Sequence, residues 1–225
     1  MKIVVIIASP HAERGNTARL TELVQEGARQ AGAQTETVYL TGKEVGPCIA
    51  CDKCHATGSC PLPDRFEEIR TKIMASDGLI IASPNYIFSV SAQLKAFMDR
   101  CCGVIHCMAF EGKYGASVVT SGGGDDEPIV EYMNKFLTVT GIRPVGQVFA
   151  NMSATVEGNF PEDIREQALH LGQTLVQSWQ KGETWEETEQ LRSHFENRMR
   201  ALVYHQKEAW PFEYDYWRRN RQAKD

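Results

Sequence analysis

Four cysteines between residues 48 and 60 carry the most specific chemistry in the chain. Cys48-Ile49-Ala50-Cys51-Asp52-Lys53-Cys54-His55-Ala56-Thr57-Gly58-Ser59-Cys60-Pro61 reads C-x2-C-x2-C-x5-C-P, with three thiols on one tight loop and a fourth within reach. Ferredoxin runs also begin C-x2-C-x2-C and close with Cys-Pro, although there the last gap is shorter and the fourth cysteine serves a second cluster. A single four-iron cluster on Cys48, Cys51, Cys54 and Cys60 is the reading the spacing favours. Two others stand beside it. Zinc binds four thiolates, but usually draws one close pair from each of two separated knuckles; alternatively the four are reduced thiols that serve as small loop residues. His55, between the third and fourth cysteines, is expected to be a solvated loop histidine.

Three cysteines remain. Cys101, Cys102 and Cys107 follow a helical apolar face of Leu94, Phe97 and Met98, which argues for core packing, since free cysteine is among the most buried residue types. Seven cysteines with no export signal point away from a disulfide framework and towards the cytoplasm, where thiols stay reduced. His106 and His205 could act as acids or bases, but nothing in their positions singles either out, and no catalytic residue is assigned.

A second chemistry lies in three loops that follow apolar, strand-like runs. After Ile3 to Ile7 comes Ser9-Pro10-His11-Ala12-Glu13-Arg14-Gly15-Asn16-Thr17, with hydroxyl, amide and guanidinium donors at Ser9, Asn16, Thr17 and Arg14 where a helix opens. Free N–H groups and the partial positive charge of a helix start suit a phosphate. Neither a G-x-G-x-x-G nor a G-x-x-x-x-G-K pattern is present, so a singly phosphorylated ligand such as FMN fits better than a dinucleotide or nucleoside triphosphate. The plainer use of Asn16 or Thr17 is as a helix N-cap. Ser83-Pro84-Asn85-Tyr86-Ile87-Phe88 follows the third strand-like run and offers aromatic and apolar faces; Thr120-Ser121-Gly122-Gly123-Gly124 follows the fourth and lets backbone approach a flat ring.

These loops need a scaffold that brings strand ends to one edge. Strand-like runs at Ile3 to Ile7, Thr35 to Leu40, Gly78 to Ala82, Tyr114 to Thr120 and Val145 to Ala150 alternate with helical patterns. One helical pattern runs from Leu20 to Ala31 before Gly32, one follows the capping-box spacing Asp64-Arg65-Phe66-Glu67, and one spans about Ser91 to Arg100. Pro128 opens another that ends at Gly141, and Pro161 sits just inside the last of the set. Five such units argue for an α/β, doubly wound, five-stranded parallel sheet of flavodoxin-like order, with the cysteine-rich loop 46–62 inserted. The division expected is a domain over 1–182 and a C-terminal extension over 183–225, made of an amphipathic helix from Glu186 to Val203 and an aromatic tail from Trp210 to Trp217.

Composition narrows the function classes. The 225 residues are 42% hydrophobic and 24% charged, close to the globular average and unlike disordered or collagenous chains. A formal charge of −5, with the basic cluster Arg218-Arg219-Asn220-Arg221 confined to the end, argues against nucleic acid as a partner. No apolar run nears the ~20 residues that cross a bilayer, so no membrane partner is expected.

Taken together, the loops Ser9-Pro10 to Gly15-Asn16-Thr17, Ser83-Pro84-Asn85-Tyr86 and Thr120-Ser121-Gly122-Gly123 resemble those of the NAD(P)H-dependent FMN reductase branch of the flavodoxin-like flavoproteins, over roughly residues 1 to 150. The resemblance implies that Ser9, Arg14, Asn16 and Thr17 hold the FMN phosphate, that Pro84, Asn85, Tyr86, Ile87 and Phe88 meet the ring, and that Ser121, Gly122, Gly123 and Gly124 meet its polar edge. With all four loop cysteines present, the chain further resembles the iron–sulfur flavoprotein family. That likeness implies a [4Fe-4S] cluster near FMN, a homo-oligomer (dimer or tetramer) with the flavin near a subunit boundary, and NAD(P)H or ferredoxin as electron partner. The aromatic tail matches no motif of the family. Cluster-free members of the FMN reductase family carry similar cysteine-rich loops, so a cluster-free FMN or quinone reductase is the main competing expectation. A non-enzymatic electron carrier and a flavin dehydrogenase of a dedicated small substrate are the others.

Overall fold

Continuous β-branched residues at the start of the chain form β1 (Lys2–Ile7), whose alternating side chains feed two separate cores. In the computed structural model, which describes residues 1–155 and 159–221, Val4, Ile6 and Ala8 pack into one and Ile3, Val5 and Ile7 into the other. β2 (Gln34–Tyr39), β3 (Gly78–Pro84), β4 (Tyr114–Ser121) and β5 (Arg143–Asn151) complete the sheet. The order is β2-β1-β3-β4-β5 with every neighbouring pair parallel, the doubly wound arrangement that the alternating pattern implies.

One face is covered by α1 (Asn16–Gln30) and, from late in the chain, α7 (Glu162–Lys181). Their backbones touch. A Cβ on Gly27 would lie 1.9 Å from the Leu169 carbonyl oxygen, and one on Gly172 would lie 2.0 Å from that of Val24. Two glycines at the crossing thus remove the side chains that ordinarily hold helices 8–10 Å apart. The opposite face carries α3 (Phe66–Met74), α4 (Ala92–Arg100) and α6 (Glu127–Thr140), which bury Ile69, Phe97 and Met133 against the sheet.

Several boundaries differ from the sequence reading for identifiable reasons. Pro161 is the N-cap of α7 rather than inside it. The Asp64–Glu67 capping box does not form: α3 starts at Phe66, Asp64 Oδ1 accepts from the Phe66 N–H at 3.0 Å, and Glu67 turns away to accept from the Cys60 N–H at 2.7 Å. Two short helices, α2 (Lys53–Thr57) and α5 (Cys102–Cys107), escape a periodicity search because neither spans two turns. Beyond α8 (Glu186–His205), the aromatic tail is itself helical: α9 (Pro211–Asn220) folds back onto α2 and α5, with Phe212 resting on Gly58 and Trp217 fully buried. Among the described residues no helix is long and apolar enough to cross a membrane.

Candidate functional site

Parallel pairing of β1, β3 and β4 delivers the three loops to one edge of the sheet, and buried hydroxyls lace them together. Thr17 Oγ1 meets Thr120 Oγ1 at 2.7 Å, Ser91 Oγ donates to the Ala8 carbonyl at 2.7 Å, and the Ser91 N–H donates to Ser83 Oγ at 2.8 Å. Asn85 spans two loops: its backbone N–H donates to the Thr120 carbonyl at 2.7 Å and its side-chain amide to that of Gly124 at 3.0 Å. Asp126, which the sequence reading missed, is buried and accepts from Ser121 Oγ at 2.7 Å, fixing the glycine loop at its base.

The result is an open pocket of about 250 Å3. Of the expected residues, Ser9, Asn16, Thr17, Pro84, Asn85, Tyr86, Ser121 and Gly122 line it, joined by His11, Thr120 and Met152, which were not expected. Arg14, Ile87, Phe88, Gly123 and Gly124 do not line it, and Arg14 projects into solvent. At the floor, α1 begins without a side-chain cap: Gly15 is the N-cap residue, Asn16 Oδ1 accepts from Arg19, and Thr17 is engaged with Thr120. The N-cap use of Asn16 or Thr17 is therefore set aside, and the first turn of α1 starts without a side-chain cap beside the pocket that Asn16 and Thr17 line. Gly122 and Gly123 supply a second test of fit. A Cβ on either would meet no protein atom within 4 Å, so nothing in the protein itself requires glycine there. The open space above them suits a flat ring lying close to the backbone.

Ile87 and Phe88 form the tip of a tight turn, with the Tyr86 N–H donating to the Ser89 carbonyl at 2.9 Å. Both adopt left-handed backbone (φ 50° and 59°), which a β-branched and an aromatic residue rarely take, and both are exposed, at 89% and 76%. Left-handed backbone and exposed apolar surface thus coincide at one tip, next to the pocket that Tyr86 lines.

The cysteine loop leaves β2 on the same edge. Ala50 and Asp52 lie in the left-handed region (φ 50° and 58°), and these two reversals wrap the chain so that Cys48, Cys51, Cys54 and Cys60 line one pocket of about 160 Å3. The Ala50 N–H points at Cys48 Sγ (3.4 Å). Arg100, absent from the sequence reading, is the anchor: its side chain is almost wholly buried, Nε donates to Cys60 Sγ at 3.0 Å, and its other nitrogens donate to the Asp64 carboxylate and the Gly46 carbonyl. Both ends of the loop are thereby tied to α4. Burial works against charge on Asp64, but Arg100 and the N–H groups of Gly46 and Phe66 outweigh it and hold the carboxyl below its ordinary value. N–H donors aimed at the Cys48 and Cys60 sulfurs, and a positive charge beside Cys60, fit a cluster whose ligands are deprotonated when it binds.

His55 corrects an expectation. It is 5% exposed rather than solvated, because α2 turns it inwards towards α5 and α9. Its Nδ1 meets Glu213 Oε1 at 2.5 Å, while the other oxygen of that carboxylate meets His106 Nδ1 at 3.0 Å. Trp210 stacks over both imidazoles at 4.6 and 4.8 Å. Bonds to Cys102, Cys54 and Glu213 push His55 up to about 12. Burial opposes the charge on His106, yet its bonds to Cys102 and Glu213 prevail and raise it to about 9. Cys102 is also not the core thiol expected: it is only half-buried and drawn down to about 6 by His106 and His55, while Cys101 and Cys107 are buried and pushed up. No pattern in the sequence could pair residue 55 with residue 213.

A parallel sheet ordered 2-1-3-4-5 with a pocket over the ends of β1, β3 and β4 is a flavodoxin-like fold. Solved structures agree on the fold: a WrbA-like flavodoxin from Agrobacterium tumefaciens matches at TM-score 0.59 and 17% identity over 81% of this chain and 99% of its own. An NAD(P)H:quinone oxidoreductase from Methanothermobacter marburgensis matches at 0.57 and 19% over 80% and 97%. The chain belongs to the NADPH-dependent FMN reductase family, which matches residues 1–155, and within it to the iron–sulfur flavoproteins. It is a flavin-dependent oxidoreductase. An iron–sulfur flavoprotein of Archaeoglobus fulgidus is 28% identical over 97% of this chain and 98% of its own. One of Methanocaldococcus jannaschii is 33% identical over 79% and 96%. The match to the Archaeoglobus protein extends into the C-terminal segment.

Proposed function

We propose that the protein passes electrons between FMN, seated in the three-loop pocket, and a four-iron cluster held by Cys48, Cys51, Cys54 and Cys60. The observation that carries the reading is the convergence of four loop cysteines on one pocket, beside the buried guanidinium of Arg100. When bound, the flavin supplies two-electron chemistry and the cluster one-electron chemistry. The chain's own residues bind and tune. Ser9, Asn16, Thr17 and the first-turn N–H groups of α1 hold the phosphate; Pro84, Asn85 and Tyr86 flank the ring; Ser121 and Gly122 approach its polar edge. Arg14, Ile87, Phe88, Gly123 and Gly124 stand around this pocket rather than in its wall, where a bound ring or a second subunit would reach them. Arg100 offers an N–H to the Cys60 sulfur and offsets negative charge there. No side chain needs to act as acid or base.

Reduced nicotinamide or a ferredoxin-type protein is the electron partner that the family implies. The apolar tip at Ile87 and Phe88 favours a homo-oligomer, and seven free thiols favour the cytoplasm. The test is iron, acid-labile sulfide and FMN content of protein purified without oxygen, for the native chain and for Cys51→Ser. About four irons per chain, lost in the variant while FMN stays bound, is the expected result. Flavin without iron, even after anaerobic reconstitution, would replace this reading with a cluster-free FMN or quinone reductase.

A further inference from the structure

Where α2, α5 and α9 meet, next to the cysteine pocket whose wall His55 and Cys102 share, lies a buried polar cluster that the proposed electron transfer does not use. Cys102 and His106 stand four residues apart on α5 and so share a face of that helix. His55 arrives from α2 and Glu213 from α9. One nitrogen of each imidazole, the Cys102 sulfur included, converges: the three ligand atoms lie within 4.8 Å of one another, with Cys102 Sγ 3.7 Å from His106 Nε2.

The carboxylate explains the convergence. Glu213 is 0% exposed, and a buried carboxylate is costly unless both its oxygens are engaged. Here each oxygen takes the Nδ1 of a different histidine. With Nδ1 of each ring turned to Glu213, Nε2 is the nitrogen left to meet a metal once its proton is displaced, and a carboxylate on the other nitrogen is the outer partner that metal-bound histidines have. The stacked rings, 4.9 Å apart and 18° from parallel under the Trp210 indole, are fixed in that orientation.

We propose that His55, Cys102 and His106 bind a single zinc ion, with Glu213 orienting both imidazoles through Nδ1. Tetrahedral zinc with Zn–N near 2.0 Å and Zn–S near 2.3 Å spans about 3.5 Å from nitrogen to sulfur, close to the separation of His106 and Cys102. Borderline-soft zinc suits two imidazoles and one thiolate, and three protein ligands leave a fourth position for water. A cubane, by contrast, takes one ligand at each of four separate irons, so three atoms that converge on one point suit a single ion, which would neighbour the cysteine pocket whose wall His55 and Cys102 share. The ion would staple α9 across α2 and α5.

The test is metal analysis of the whole purified protein after dialysis against a weak chelator, with X-ray absorption at the zinc edge. Expected are about one zinc per chain, one sulfur neighbour near 2.3 Å and nitrogen or oxygen neighbours near 2.0 Å. Cys102→Ser and His106→Ala should lose the zinc while iron and FMN contents hold. In a competition titration Glu213→Gln should bind zinc roughly 10–100-fold more weakly, a readout that survives if the ligand variants fail to fold. Three results overturn the proposal: no stoichiometric zinc even after incubation with zinc chloride, a shell of four sulfurs at the zinc edge, or zinc lost in Cys51→Ser and kept in Cys102→Ser.

Discussion

Replacing Arg100 by Met keeps the aliphatic stem packed while removing the guanidinium that binds Asp64, the Gly46 carbonyl and Cys60 Sγ together. Breaking a buried ion pair by deleting one partner costs about 3–5 kcal/mol, because the other charge stays behind. Two features of the site move the expectation to the lower end of that range. Asp64 keeps its bonds from the Gly46 and Phe66 N–H groups, and its side chain is 20% exposed, so water reaches it in part. The variant also forgoes the cost of burying a guanidinium, although it loses the stacking of Arg100 over Phe66 at 4.7 Å. A loss of about 3 kcal/mol follows, equivalent to a fall in Tm of roughly 6–12 °C for a chain of this size. Urea denaturation of the apoprotein with unchanged m-value is the assay. The same contact predicts a pH dependence. Asp64 is held below its ordinary value in the folded state, so its share of stability is present above the unfolded value near pH 4 and drains away as pH falls through the lowered native one. In Arg100→Met that acid limb should flatten. A loss under about 1 kcal/mol, or an unaltered acid limb, would refute the assignment of Arg100 as the loop's anchor.

Other perturbations separate fold from site. Gly172→Ala sets a Cβ 2.0 Å from a backbone oxygen that cannot move aside, so α1 and α7 must part, at about 1–3 kcal/mol or more by urea denaturation; a neutral outcome would mean the crossing is looser than described. Gly122→Val enters open space, so the apoprotein should keep its Tm while FMN affinity, followed by flavin fluorescence, drops at least tenfold; unchanged affinity would move the ring elsewhere. Joint replacement Ile87→Asn and Phe88→Gly relieves left-handed strain worth about 1–2 kcal/mol per residue, so the monomeric apoprotein should gain stability while any assembly through this tip weakens by size-exclusion chromatography.

Sheet order, both faces of the core and the three strand-end loops were legible in the chain because each rests on local signals. A β-branched run such as Ile3 to Ile7 is long enough to declare a buried strand, and a parallel sheet must bring the ends of such strands to one edge. The four-cysteine spacing was equally plain, since its members lie within thirteen consecutive residues. Tertiary structure alone decided what surrounds them. Arg100 reads as an ordinary last-turn cation of α4 until packing buries it between Cys60 and Asp64, and Glu213 reads as one acid in an aromatic tail until α9 folds over two histidines 158 and 107 positions away. Periodicity and spacing report neighbours along the chain; a carboxylate sealed against distant imidazoles is set by how helices pack, and no local pattern encodes that.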